Sequence, residues 1–87
     1  MSFRRLQGVR LSEERQCLIY GICRTLPEQP KWIREKAERL CVSAGGLHHC
    51  ALRELLTTER SVTAVARRYH VSEAVLYEAR KRFYEGW

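Results

Sequence analysis

The nucleophilic and metal-ligating side chains of the 87-residue chain are Cys17, Cys23, Cys41, Cys50, His48, His49 and His70. They contain enough sulfur and nitrogen for a tetrahedral zinc centre, but the spacing argues against one. A structural zinc site usually opens on two ligands separated by about two to four residues. Here the gaps between successive cysteines are five, seventeen and eight residues. Cys41, His48 and Cys50 could meet only around the Gly45-Gly46 pair, so no metal is expected. A thiol nucleophile at Cys50 would need His48 or His49 as its base, yet successive helical residues point in different directions. The chain has no aspartate, no glycine-rich phosphate loop and no Ser-His-acid constellation. Neither catalysis nor a cofactor is therefore expected.

The side chains grouped for recognition are the cations. The net charge is +6 and the isoelectric point about 9.6, a balance suited to a polyanion such as nucleic acid. Its distribution is uneven. Residues 1–10 carry Arg4, Arg5 and Arg10 without an acid, and residues 11–59 hold seven basic and seven acidic side chains. Residues 60–87 set Arg60, Arg67, Arg68, Arg80, Lys81 and Arg82 against Glu73, Glu78 and Glu85. All the excess charge lies in the two end segments.

The elements that must position these cations read as helices, and no stretch alternates at period two, so the fold class is all-α with about five short helices. Residues 1–11 form a basic arm without periodicity, flexible in isolation. Ser12 caps a first helix to about Thr25, with Leu18, Ile19, Ile22 and Leu26 as its apolar face. Pro27 and Pro30 break the chain there. Ile33, Ala37, Leu40, Cys41 and Ala44 stripe a second helix that Gly45-Gly46 ends. Leu47, Ala51, Leu52, Leu55 and Leu56 stripe a third, with His48 at its apolar edge. Ser61 caps a fourth helix, Val62 to Tyr69, and Ser72 a fifth, Glu73 to Phe83. Cys23 and Cys41 fall on or near buried stripes, whereas Cys17 and Cys50 project from polar faces and suggest a subunit contact. Residues 12–45 are read as a dimerisation and support segment and residues 46–87 as the DNA-binding unit of one domain.

The fourth and fifth helices meet at a tight corner. If Val62 opens a helix-turn-helix, the inward positions fall on Val65, Ala66, Tyr69, Val71, Leu76 and Ala79, all apolar or aromatic. Small Ala66 lands where the helices cross, and His70 occupies the turn position usually given to glycine. Residues 48–83, HHCALRELLTTERSVTAVARRYHVSEAVLYEARKRF, resemble the homeodomain-like, three-helix helix-turn-helix of small bacterial regulators. That group includes plasmid repressors of the KorA/TrfB type, fimbrial regulators of the PapB type, and the DNA-binding domains of transposases and resolvases.

The resemblance implies that Ser72–Phe83 enters the major groove of double-stranded DNA while Val62–Tyr69 lies across the backbone. It assigns Ser72, Glu73, Ala74, Tyr77, Glu78 and Lys81 to base edges, and Arg60, Thr63, Arg67, Arg68, Arg80 and Arg82 to phosphates. Arg4, Arg5 and Arg10 would extend the contact into a minor groove. The expected function is a sequence-specific transcriptional regulator acting as a homodimer. The alternatives are an adaptor or anti-regulator that binds a protein partner through the same surface, and a DNA-packaging or transposition accessory. No stretch reaches the roughly 18 apolar residues of a membrane span, and the start lacks a secretory signal, so a cytoplasmic location is expected.

Overall fold

Every helix start has a local cause. In the computed structural model, which describes residues 3–87, the chain forms five α-helices: α1 Glu13–Arg24, α2 Lys31–Gly45, α3 His49–Thr57, α4 Val62–Tyr69 and α5 Glu73–Gly86. No strand occurs among the described residues. Three serines cap as their positions require: Ser12 Oγ accepts from the Arg15 N–H at 3.1 Å, Ser61 Oγ from Ala64 at 3.1 Å, and Ser72 Oγ from Val75 at 3.3 Å. The proline pair does more than break the chain. Leu26–Glu28 wind into a 3-10 turn, and Pro30 leads directly into α2. A second 3-10 turn, Gly46–His48, joins α2 to α3, with Gly46 at φ +54 and ψ −124, a conformation open essentially to glycine alone. Gly45 serves a different need. A Cβ there would lie 3.2 Å from the His49 Cβ and 3.4 Å from a Leu52 methyl, so its absence lets α2 approach α3.

Helix α3 is buried on two sides. Leu52 and Leu56 join Ile19, Cys23, Ala37, Cys41, Ala44, Ala79, Phe83 and Tyr84 in the larger core cluster. One residue earlier in each turn, Ala51 and Leu55 join Val62, Val65, Ala66 and Leu76 in a smaller one. Helix α5 likewise serves both, giving Leu76 to the smaller cluster and Ala79, Phe83 and Tyr84 to the larger. The radius of gyration is 12.0 Å, close to the ~12 Å expected of one domain of this length. Residues 12–45 and 46–87 are thus halves of one body. The apolar stripe of α2, expected to serve a dimer, is largely spent against α3 and α5.

Two expectations change. Helix α1 is rotated from the anticipated face: Gln16, Ile19 and Cys23 point inward, while Leu18 is 56% exposed. The reason is the N-terminal segment, which is not a free arm from residue 3 onward; Met1 and Ser2 lie outside the described residues. Val9 is buried, and Leu6 and Leu11 pack against the larger cluster. Gln16, 0% exposed, fixes this segment with both ends of its amide. Its Oε1 accepts from the Leu6 N–H at 2.8 Å, and its Nε2 donates to the Leu11 carbonyl at 3.1 Å. The Arg10 N–H also donates to Glu85 Oε2 at 2.9 Å.

Gln16→Met keeps the side-chain length and removes both amide bonds, leaving the Leu6 N–H and Leu11 carbonyl without partners. The expected loss is about 2–4 kcal/mol in denaturant unfolding, accompanied by faster tryptic cleavage after Arg10 under native conditions.

Candidate nucleic-acid interface

The corner between α4 and α5 is three residues long, and its shape follows from one backbone conformation. His70 adopts φ 56 and ψ 43, the left-handed region, and is the one positive-φ residue other than glycine among those described. That bend brings both the His70 and Val71 N–H groups onto the Ala66 carbonyl, the latter at 3.0 Å. Val65, Ala66, Leu76 and Ala79 are buried, with Tyr69 and Val71 half-buried beside them. The six positions expected to point inward are therefore all at least partly covered.

The opposite side of α5 faces solvent. Ser72, Glu73, Ala74, Tyr77 and Glu78 are exposed along its first two turns, Tyr77 by 49%, and Lys81 is half-buried. Helix α5 is also longer than expected, running three residues beyond Phe83. Both acids on this surface have internal partners. The Thr63 hydroxyl donates to Glu73 Oε2 at 3.2 Å, and Arg82 Nη1 lies 3.9 Å from Glu78 Oε2. Glu73 also sits at the positive end of the α5 dipole, which stabilises its charge.

The six residues expected at phosphates divide by what holds them. Arg67 is exposed on α4 and has no partner among the described residues. Arg60 and Arg68 converge on Glu54 of α3, which is 15% exposed: Arg60 Nε stands 3.5 Å and Arg68 Nε 3.4 Å from its oxygens. The Tyr69 hydroxyl donates to Glu54 Oε1 at 3.1 Å. Thr63 is engaged with Glu73, as above. Arg82 is occupied within the fold, where its Nε and Nη2 donate to the Ala44 carbonyl at 3.2 and 3.0 Å and close the C-terminus of α2. Arg80 is half-buried, with its guanidinium 5.5 Å from the centroid of the Tyr77 ring. Burial pulls its pKa below the ordinary arginine value. Arg4, Arg5 and Arg10 keep exposed side chains on the packed N-terminal segment.

Sequence reasoning missed Glu54, whose only signal is that it is the sole acid of α3 in a chain with Arg60 and Arg67-Arg68 nearby. It also set aside the pairing of Cys50 with His49. The Cys50 Sγ lies 3.6 Å from His49 Nε2, while His49 Nδ1 is 3.0 Å from the Gly46 carbonyl. A carbonyl only accepts, so Nδ1 carries the proton and Nε2 accepts from the thiol. His48 belongs to the 3-10 turn ahead of α3, half-buried as expected of a core edge. No group of three or more His, Cys or Glu side chains among the described residues is arranged to hold a metal. All four cysteines are free thiols.

Comparison with known proteins finds no matching family model, no similar curated protein and no similar solved structure. The arrangement itself offers an exposed helix start with hydroxyl, carboxylate and phenol groups, flanked by guanidiniums. Those are groups for hydrogen-bonded recognition.

The cysteines divide by burial. Desolvation, with a smaller contribution from Cys41, pushes the Cys23 thiol from 9.0 up to about 12, and burial followed by Glu38 pushes Cys41 to about 11. The Cys41 thiol also donates to the His49 carbonyl at 3.3 Å, which favours its protonated form. A chromogenic disulfide reagent at neutral pH should therefore titrate Cys17 and Cys50 rapidly, and Cys23 and Cys41 only on unfolding. The same shifts give a pH dependence. Above pH 9 the unfolded thiols lose protons that the folded ones retain, so stability falls from about pH 9 toward pH 12, as alkaline denaturant titrations will show.

Proposed function

We propose that the chain binds double-stranded DNA through the α4–α5 corner and acts as a sequence-specific transcriptional regulator. In this reading α3, α4 and α5 form a helix-turn-helix unit, with α5 in the major groove and α4 across the phosphate backbone. One observation carries it. The first two turns of α5 are exposed and polar while the opposite side of the same helix, Leu76, Ala79 and Phe83, is fully buried, so the helix is held rigidly with its start free to enter a groove. Tyr77 and Ala74 would meet base edges, and Ser72, Glu73, Glu78 and Lys81 would supply the polar contacts. Arg67, Arg68 and Arg80 would neutralise phosphates, and Arg60 would do so on release from Glu54. Thr63 and Arg82, engaged with Glu73 and the Ala44 carbonyl, would act by orienting their neighbours. A two-fold operator calls for a two-fold protein, and the homodimer would use the solvent side of α1, where Leu18 is exposed beside Cys17.

A second reading draws on Glu73 and Glu78. Two outward carboxylates beside an exposed phenol also suit a protein partner with basic side chains, which would make the chain an adaptor or anti-regulator.

Mobility-shift and competition binding at several salt concentrations separate the two. Arg67→Ala should weaken binding to specific and random duplexes alike and reduce the salt slope by about one. Tyr77→Ala should leave the melting temperature nearly unchanged and reduce the preference for operator over random duplex by about 1–3 kcal/mol. A wild-type chain without preference for any duplex, and with a salt slope that ignores Arg67, would overturn the DNA reading, and capture of a protein partner lost on Glu73→Gln and Glu78→Gln would then support the second.

A further inference from the structure

Arg80 is a half-buried cation for which the fold supplies no anion. Its guanidinium lies over the Tyr77 ring and within electrostatic range of Tyr84, and no carboxylate among the described residues pairs with it. Guanidinium groups withdrawn from water are normally matched by an anion or an acceptor. Arg80 instead lines a half-open cavity of about 610 Å³ between the N-terminal segment, α1, the α3–α4 connection and α5. Tyr84 lines the same space. It is buried, yet its hydroxyl bonds to no described residue, and burial raises its pKa so that it remains a donor.

The charge of the walls points the same way. Arg4, Arg5, Arg24, Arg60 and Arg80 contribute to them against one acid, Glu59. Glu59 is already paired with Arg24 at 3.3 Å, and Arg60 with Glu54 at 3.5 Å. Arg4, Arg5 and Arg80 remain without an acidic partner among the described residues. A site rich in cationic donors, whose one carboxylate is already paired, is complementary to an oxyanion, and the planar guanidinium fork suits phosphoryl oxygens. Size narrows the ligand further. The volume lies in the range of small-molecule sites, roughly 300–1,000 Å³, far more than orthophosphate fills. In the rest of the wall Phe3, Tyr20 and Tyr77 stand with Leu55, Leu56 and Val62, a mixed apolar lining that can take the face of a planar ring.

We propose that this cavity binds a free nucleoside di- or triphosphate. The phosphates meet Arg80 and the Tyr84 hydroxyl, with Arg4 and Arg5 at the mouth, and the base lies against the tyrosine rings. The proposal does not rest on DNA binding, and its test contains no duplex in the first arm.

Calorimetric titration of the whole chain at constant ionic strength, with ATP, GTP, pyrophosphate and adenosine in turn, reads the site directly. The expected result is saturable one-to-one binding of a nucleoside triphosphate, weaker binding of pyrophosphate, and no heat with adenosine. Arg80→Gln should weaken the nucleotide by ~tenfold or more, and Tyr84→Phe, which preserves the ring, by about threefold or more. Arg39→Gln on the exposed side of α2, away from the cavity, should change nothing. If Arg80→Gln does not fold, Tyr84→Phe and the exposed Arg5→Gln carry the same comparison. The proposal is overturned by absence of binding up to about 5 mM, by non-saturating binding equal for every polyanion, or by affinity indifferent to Tyr84→Phe and Arg5→Gln. A second arm adds a short duplex. Variants that lose duplex binding while the wild-type chain ignores free nucleotides would assign Arg80 to DNA alone and also overturn the proposal.

Discussion

Helix α3 has to be buried on two sides at once, and the rest of the architecture follows from that requirement. Nine residues long, it places Leu52 and Leu56 in one apolar cluster and Ala51 and Leu55 in the other. Each pair is one turn apart and the two pairs are offset by a single residue, so the apolar arc spans about 140° of the circumference while Cys50 and Arg53 on the far side stay exposed. An arc this wide faces two neighbours at once. Helices α1, α2 and the C-terminal part of α5 cover one side, and α4 with the start of α5 covers the other. The small α2–α3 separation allowed by Gly45 and the short α4–α5 corner both serve this enclosure.

Polar groups enter the structure where helices end or where the enclosure leaves a gap. Arg82 closes α2 by donating to the Ala44 carbonyl across 38 residues of sequence. Glu54 emerges from the polar side of α3 and gathers Arg60, Arg68 and the Tyr69 hydroxyl, tying α3 to both ends of α4. Its Oε2 is buried and accepts no hydrogen bond among the described residues, so Arg60, 3.5 Å away, satisfies it by charge alone. Such a partly buried carboxylate holds its cations more firmly than a surface pair would. It also means that two of the arginines beside the exposed start of α5 are oriented by the fold.

The local part of this design was legible in the sequence. Ser12, Ser61 and Ser72 cap where the pattern placed them, the glycine pair ends α2, and the six inward residues of the corner are all at least partly buried. These features depend on neighbours within about four positions. What escaped depends on distant partners. The face of α1 was misjudged because Gln16 looked like a surface residue, and only the returning N-terminal segment makes it a core one. Arg82 read as a free cation because its acceptor lies on another helix. The cavity beside Arg80 could not be inferred at all, since four separate segments build its walls. The pairing of Cys50 with His49 was dismissed on helix geometry, but His49 is the first residue of α3, where the side chain is free to turn back.

The bond from the Arg10 amide to Glu85 joins positions 75 apart, and it gives the chain a seam. Contacts among α3, α4 and α5 are short-range and close small loops, whereas the seam closes nearly the whole length of the polypeptide. Closure entropy grows only slowly with loop length, about 0.6 kcal/mol per doubling, so this long closure costs little more than a shorter one. Residues 3–11 are thus held from two directions, by Gln16 on α1 and by Glu85 on α5. Detachment would lift Val9 from the core and withdraw Arg4 and Arg5 from the cavity mouth together, while leaving the α4–α5 corner intact. Separation along this seam would take the basic cleft apart and leave the exposed helix start undisturbed.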